Sequence, residues 1–141
     1  MASTEAQPDR MAIIKEFVPQ SPFAQLLGIS IAEISQDRAV LVMPYRPELA
    51  TIGEMVHGGA ISTLADTAGM AAAWADVTVP ENFGGSTVGF ALDFLSPANA
   101  SDLRAEATVV KRGRRLCRCE IAVLDDSDVV VAKSLLTYSF A

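Results

Sequence analysis

From residue 86 onward the chain alternates strand-like runs with joints too short to hold a helix. The runs are STVGFALDFLS (86–96), LRAEATVVK (103–111), RLCRCEIAVLD (115–125) and VVVAKSLLTYSF (129–140), joined by PANASD, RG and DDSD. Parallel neighbours need a crossover of a dozen or more residues, so these joints suit antiparallel hairpins and leave no room for crossover helices. Upstream, ISIAEIS (29–35) and RAVLVMPY (38–45) read as two further strands around the turn residues SQDR, and RPELATIGEM reads as a loop. Only one segment is long enough to be a major helix, about His57 to Ala75, and its few polar side chains are Ser62, Thr63, Asp66 and Thr67. A helix apolar nearly all round is buried nearly all round. The pattern therefore predicts an α+β fold, one long helix covered by an antiparallel sheet of about six strands. The lead-in is minor: residues 1–8 are polar, MAIIKEFV (11–18) suits a short helix ending before Pro19, and SPFAQLLG (21–28) suits a helical turn closed by Gly28.

At 141 residues the chain reads as one domain, with 1–19 as an N-terminal extension. Half of its residues are hydrophobic, somewhat apolar for a small monomer, which an oligomer would explain. The formal net charge of -6 argues against a nucleic-acid binder, since neutralising phosphates needs a dominant positive field. No signal-peptide core or membrane-length apolar run occurs, so a cytoplasmic protein away from membranes is expected. Strand alternation places Cys117 and Cys119 on one face with Ile121 and Val123, predicting two buried thiols rather than a disulfide.

An aspartate inside the apolar helix needs an explanation. A buried carboxylate must be hydrogen-bonded, paired or shifted in pKa, conditions that also describe general bases and nucleophiles. Asp66 therefore reads equally as a catalytic group or as a structural one bonded to Ser62 or Thr63. The helix opens with His57-Gly58-Gly59. Glycines there could let a carbonyl approach the unpaired N–H groups and positive dipole of a helix start, although a tight turn alone would account for them. Gly58 and Asp66 are eight residues apart, about 12 Å along a helix, whereas reacting groups sit about 3 Å apart. If both act on one substrate they come from different chains, as in a twofold dimer with antiparallel helices.

The run KRGRRLCR holds five of the eleven Lys and Arg residues. Lys111, Arg112, Gly113, Arg114 and Arg115 form a hairpin that could hold phosphates. A solvated charged turn is the commoner meaning of such a run, and the neighbouring features tip it toward the phosphate reading. A hydroxyl at Thr87 could position a water or the carboxylate, although β-propensity alone accounts for a Thr there. With a single histidine and no zinc spacing, GxSxG, GxGxxG or P-loop, no metal, redox or nucleotide cofactor is expected.

The run HGGAISTLADTAG, preceded by PYRPELATIGEMV and followed by VGFALDFLSPA and a basic Gly-containing hairpin, resembles the hotdog-fold acyl-CoA thioesterases of the phenylacetic-acid-degradation type over about residues 20–140. The resemblance implies dimers whose sheets join edge to edge, often paired into tetramers, and an acyl-CoA substrate. It implies that the Gly58 N–H meets the thioester carbonyl, with His57 and Gly59 beside it. Asp66 of the facing subunit would be nucleophile or general base, Thr87 would lie near the catalytic water, and the 111–115 hairpin near the CoA nucleotide. Thr51 stands where relatives often carry Asn. Competing readings are a hotdog hydratase or dehydratase and a non-catalytic acyl-CoA sensor.

Overall fold

The computed structural model describes residues 6–141; residues 1–5 of the expected polar lead-in lie outside the described residues. Helix α1 (Arg10–Gln20) is opened by Asp9, whose carboxylate accepts from the Ala12 N–H at 2.8 Å. It runs through Pro19, two residues past the expected stop. The proline lies in the last turn, where only the bond to the Lys15 carbonyl is forfeited, and the Ser21 N–H closes the helix onto the Phe17 and Val18 carbonyls at 3.0 and 3.2 Å. Helix α2 (Pro22–Leu27) ends on left-handed Gly28, as the sequence predicts.

Strands β1 (Ser30–Ser35) and β2 (Arg38–Met43) follow. The expected loop after them contains a 3-10 turn at Pro47–Leu49 and a small ribbon, β3 (Ala50–Ile52) and β4 (Met55–Val56), turning on Gly53 at φ 56°. Strands of three and two residues are too short for alternation to register. The ribbon is anchored from outside itself: Val56 N–H donates to the Ala98 carbonyl and Ala100 N–H to that of Glu54, both at 2.8 Å.

After helix α3 (Gly58–Ala73) come β5 (Gly85–Phe94), β6 (Leu103–Arg112), β7 (Leu116–Leu124) and β8 (Val130–Phe140). The six main strands form one antiparallel sheet in the order β1-β2-β6-β7-β8-β5. The RG and DDSD joints make the expected hairpins, but PANASD does not: β5 pairs with β8 and β6 with β2 and β7, while the joint's backbone at Ala98 and Ala100 is bonded to the β3-β4 ribbon. Along β7 and β8 inward residues alternate with outward ones; Cys117, Cys119, Ile121 and Val123 all lie fully inside, and both thiols are free. Among the described residues no helix is long and apolar enough to cross a membrane.

Helix α3 lies across β2, β6 and β7, where Leu64, Ala65, Ala68, Ala71 and Ala72 are wholly shielded from solvent. Its approach to β7 and β8 is set by Gly69: a Cβ there would stand 2.7 Å from Leu136 Cδ1 and 3.2 Å from Ile121 Cδ1. A side chain at 69 would have to displace the Leu136 and Ile121 side chains, which are fully buried in a close-packed core. The helix leaves β5 largely uncovered, so the inner face of this last strand stays open, and Asp66 lies beside it.

Candidate active site

Asp66 sits half-buried in the middle of α3, on the side facing β5. The neighbouring hydroxyls of α3 do not reach it. Ser62 Oγ donates to the Gly58 carbonyl, Thr63 Oγ1 to that of Gly59 and Thr67 Oγ1 to that of Thr63, at 2.7, 2.8 and 2.7 Å. The structural alternative of an Asp66 bonded to Ser62 or Thr63 is thereby removed. Its partner is Thr87 on β5, whose Oγ1 donates to Asp66 Oδ1 at 2.8 Å. Oδ2 accepts no hydrogen bond from any described residue, leaving one carboxylate oxygen oriented and the other available. Asp66 and Thr87 line a cavity of about 390 Å³ with Phe17, Met70, Gly85 and Tyr138.

The start of α3 is a second polar locus. His57 caps the helix: its Nδ1 accepts from the Gly59 N–H at 2.7 Å, which places the proton of a neutral ring on Nε2. The Gly59 N–H is thus engaged, whereas the Gly58 N–H meets no acceptor among the described residues. It opens into a different cavity of about 350 Å³, lined by Thr51, Met55, Ile61, Phe94 and the Leu95–Ala98 segment. A Cβ at position 58 would lie 3.2 Å from Phe94 Cζ, so glycine is what keeps this N–H approachable. The two cavities have no lining residue in common. Within one chain, the free N–H and the free carboxylate oxygen therefore face different spaces.

The basic hairpin divides. Arg112 folds inward, donating from Nε to Asp37 Oδ1 at 2.9 Å and from its two terminal nitrogens to the Ala73 and Ala72 carbonyls at 2.8 and 3.3 Å. It closes the C-terminal end of α3, where carbonyls lack intrahelical partners and the helix dipole favours a cation. Gly113 N–H closes the hairpin on the Leu116 carbonyl at 2.8 Å. Lys111, Arg114 and Arg115 are exposed and form no ion pair among the described residues.

Sequence reasoning did not connect α1 to the site. Phe17 of this extension borders the Asp66 cavity, and so does Tyr138 of β8. The Tyr138 hydroxyl accepts from Trp74 Nε1–H at 2.9 Å. Burial pushes the Tyr138 pKa up against the opposing effect of that bond, which keeps the phenol protonated. The available signal was the spacing of Ile13, Ile14, Phe17 and Val18, an apolar stripe that needs something to cover.

A model of the thioesterase superfamily matches residues 53–132, more than half of the chain. The chain belongs to the thioesterase superfamily. It is 32% identical over 128 residues to a Halobacterium salinarum protein provisionally named an esterase, spanning 89% of this chain and 84% of that one. A solved thioesterase-superfamily structure superposes with a TM-score of 0.81 at 31% identity, covering 94% of this chain and 98% of the other. The E. coli PaaI protein from the phenylacetic acid degradation operon shares the fold, with a TM-score of 0.78 at 23% identity over 89% of this chain and 88% of that one. Membership carries the hotdog architecture and, at the level of the family, thioester hydrolysis.

Proposed function

We propose that the protein hydrolyses acyl-CoA thioesters in a site shared by two copies of the chain. The observation that carries this reading is the orientation of Asp66 by Thr87 above one cavity while the unpaired Gly58 N–H faces another. A second copy with its α3 antiparallel to the first brings one chain's Gly58 to the other's Asp66 and makes two equivalent sites. Support for such a partner comes from β5, the last strand of the sheet order, with Val88 60% and Phe94 55% exposed. An uncovered apolar edge of this kind pairs with another chain unless blocked.

In the shared site the Gly58 N–H polarises the thioester carbonyl and stabilises the oxyanion as it forms. Asp66 of the facing chain attacks that carbonyl or takes the proton from an attacking water, and the CoA thiolate leaves. Thr87 holds the carboxylate in place. Lys111, Arg114 and Arg115 are the hairpin cations available for the nucleotide phosphates; Arg112 is occupied with α3 and Asp37.

The test is CoA thiol release by wild type and Asp66→Asn. Loss of about a hundredfold or more in kcat is expected for removal of a base or nucleophile, and retention of most activity sinks the assignment. Equimolar subunit exchange between Asp66→Asn and a Gly58→Val chain should recover about a quarter of wild-type activity, because half the dimers then hold one intact site of two. Failure of verified heterodimers to recover it overturns the shared site. Hydration of an enoyl-CoA, or binding with no turnover, points instead to the hydratase or sensor.

A further inference from the structure

The cavity beside Asp66 does not end at Met70. Phe17, Met70, Gly85 and Tyr138 also wall a second cavity of about 200 Å³ whose far side is Ile13, Ile14 and Trp74. Asp66, Met70 and Trp74 follow one another at four-residue intervals, so they rise along one face of α3. The track from carboxylate to indole is about 12 Å long. Helix α1 roofs it with Ile13, Ile14 and Phe17. The roof is tied down at its start, where the Arg10 and Met11 N–H groups donate to the Thr78 and Asp76 carbonyls, both at 3.0 Å.

The lining selects the chemistry of an occupant. Among the described residues no charged side chain borders the inner cavity, and the side-chain polar atoms of Trp74 and Tyr138 meet each other at 2.9 Å. Such a space favours an uncharged apolar group, since a polar one would exchange water for partners that are already engaged. Size narrows it further: an apolar cavity of about 150 Å³ holds one benzene. This one has room for a single ring or an open chain of similar bulk. Gly85 keeps the wall thin, because a Cβ there would stand 2.6 Å from the Tyr138 hydroxyl.

We infer that the acyl tail of the substrate lodges under α1, past Met70 and Phe17 and against Trp74, and that Ile13 and Met70 set the tail length the protein accepts. The inference rests on the reading of Asp66 as the hydrolytic carboxylate. It assigns the N-terminal helix to substrate selection: α1 closes the end of the tail pocket, and its inward side chains measure the occupant.

The experiment compares kcat/KM for acetyl-, hexanoyl-, decanoyl- and palmitoyl-CoA in wild type, Ile13→Phe and Met70→Ala. Wild type should prefer hexanoyl over both acetyl and palmitoyl by about tenfold or more, the scale on which a hydrophobic pocket discriminates methylenes. Ile13→Phe should lower the hexanoyl-to-acetyl ratio about tenfold, and Met70→Ala should raise the decanoyl-to-hexanoyl ratio. A second readout does not need turnover. Trp74 is the only tryptophan, so in Asp66→Asn a hexanoyl-CoA thioether should shift its fluorescence while CoA alone does not. Variants that lower every substrate by one common factor, with Trp74 silent toward the thioether, overturn the pocket and leave the hydrolase reading intact. A Trp74 shift with no acyl-CoA hydrolysed by wild type does the reverse.

Discussion

The two ends of α3 are treated in opposite ways. At the C-terminal end Arg112 donates to the Ala72 and Ala73 carbonyls and holds Asp37, so acceptors of the last turn are covered by a cation. At the N-terminal end His57 covers the Gly59 N–H, and the Gly58 N–H has no acceptor among the described residues. Both ends carry the partial charge of the same helix dipole. The difference teaches where this fold places stability and where it reserves polar capacity for a ligand: one terminus is completed by the protein, the other awaits a substrate oxygen.

The contrast breaks most sharply at Arg112. Arg112→Met leaves the Ala73 carbonyl without its side-chain donor and Asp37 with only Gln36 as a side-chain donor, a loss of about 2–3 kcal/mol at the scale of hydrogen bonds involving a charged group. Urea unfolding should show the midpoint fall. An unchanged midpoint with a raised KM for acyl-CoA would instead make Arg112 a ligand residue, and the two ends would then be alike. Gly58→Ala tests the open end. The added methyl meets the Phe94 ring at 3.2 Å, and kcat/KM should drop about tenfold, roughly 1.4 kcal/mol, with stability almost untouched. Restoration by Phe94→Leu in the same chain would show that access to the N–H was what changed.

The smallest effect concerns Asp76, just beyond the closed end and buried. Burial pushes its pKa up, but hydrogen bonds from Thr78 and Gln36 and the charge of Arg112 outweigh that and hold it below the ordinary value of 3.8. A carboxylate with a depressed pKa in the fold stabilises above its unfolded pKa and loses that contribution as the pH falls through the folded one. Asp76→Asn should therefore be less stable than wild type at pH 7, with the gap closing under acid. A gap that is constant from pH 7 to pH 2 would mean that the charge contributes nothing.

Much of this arrangement was legible along the chain. Joint lengths identified the β6-β7 and β7-β8 hairpins but misled at PANASD, whose flanking strands do not pair; alternation identified the inward face of β7, and the apolar circumference of residues 57–75 identified the buried helix. The β3-β4 ribbon was not legible, because its pairing is held by the 98–100 backbone and not by its own side chains. Pro19 misled for a related reason: the rule that ends helices at proline holds where the lost bond lies inside the helix, and here it lies at its end. Asp66 stood out as chemistry, yet its hydrogen-bond partner did not. Ser62 and Thr63 were nearer in sequence than Thr87, but helix geometry turns their hydroxyls back to carbonyls four residues earlier.

Periodicity, turn chemistry and helix-end chemistry are local, and they were enough to place the strands, the buried helix, its glycine start and its carboxylate. Which cations guard the helix and which stay available was settled elsewhere. Arg112 and Arg114 are alike in the basic run, and their fates separate because the β6 register carries Arg112 beside Asp37, 75 residues earlier in the chain. The pocket under α1 belongs to the same class of fact. It exists because residues 13–17 are laid across Met70, Trp74 and Tyr138, and no rule that reads neighbours along a chain contains that encounter.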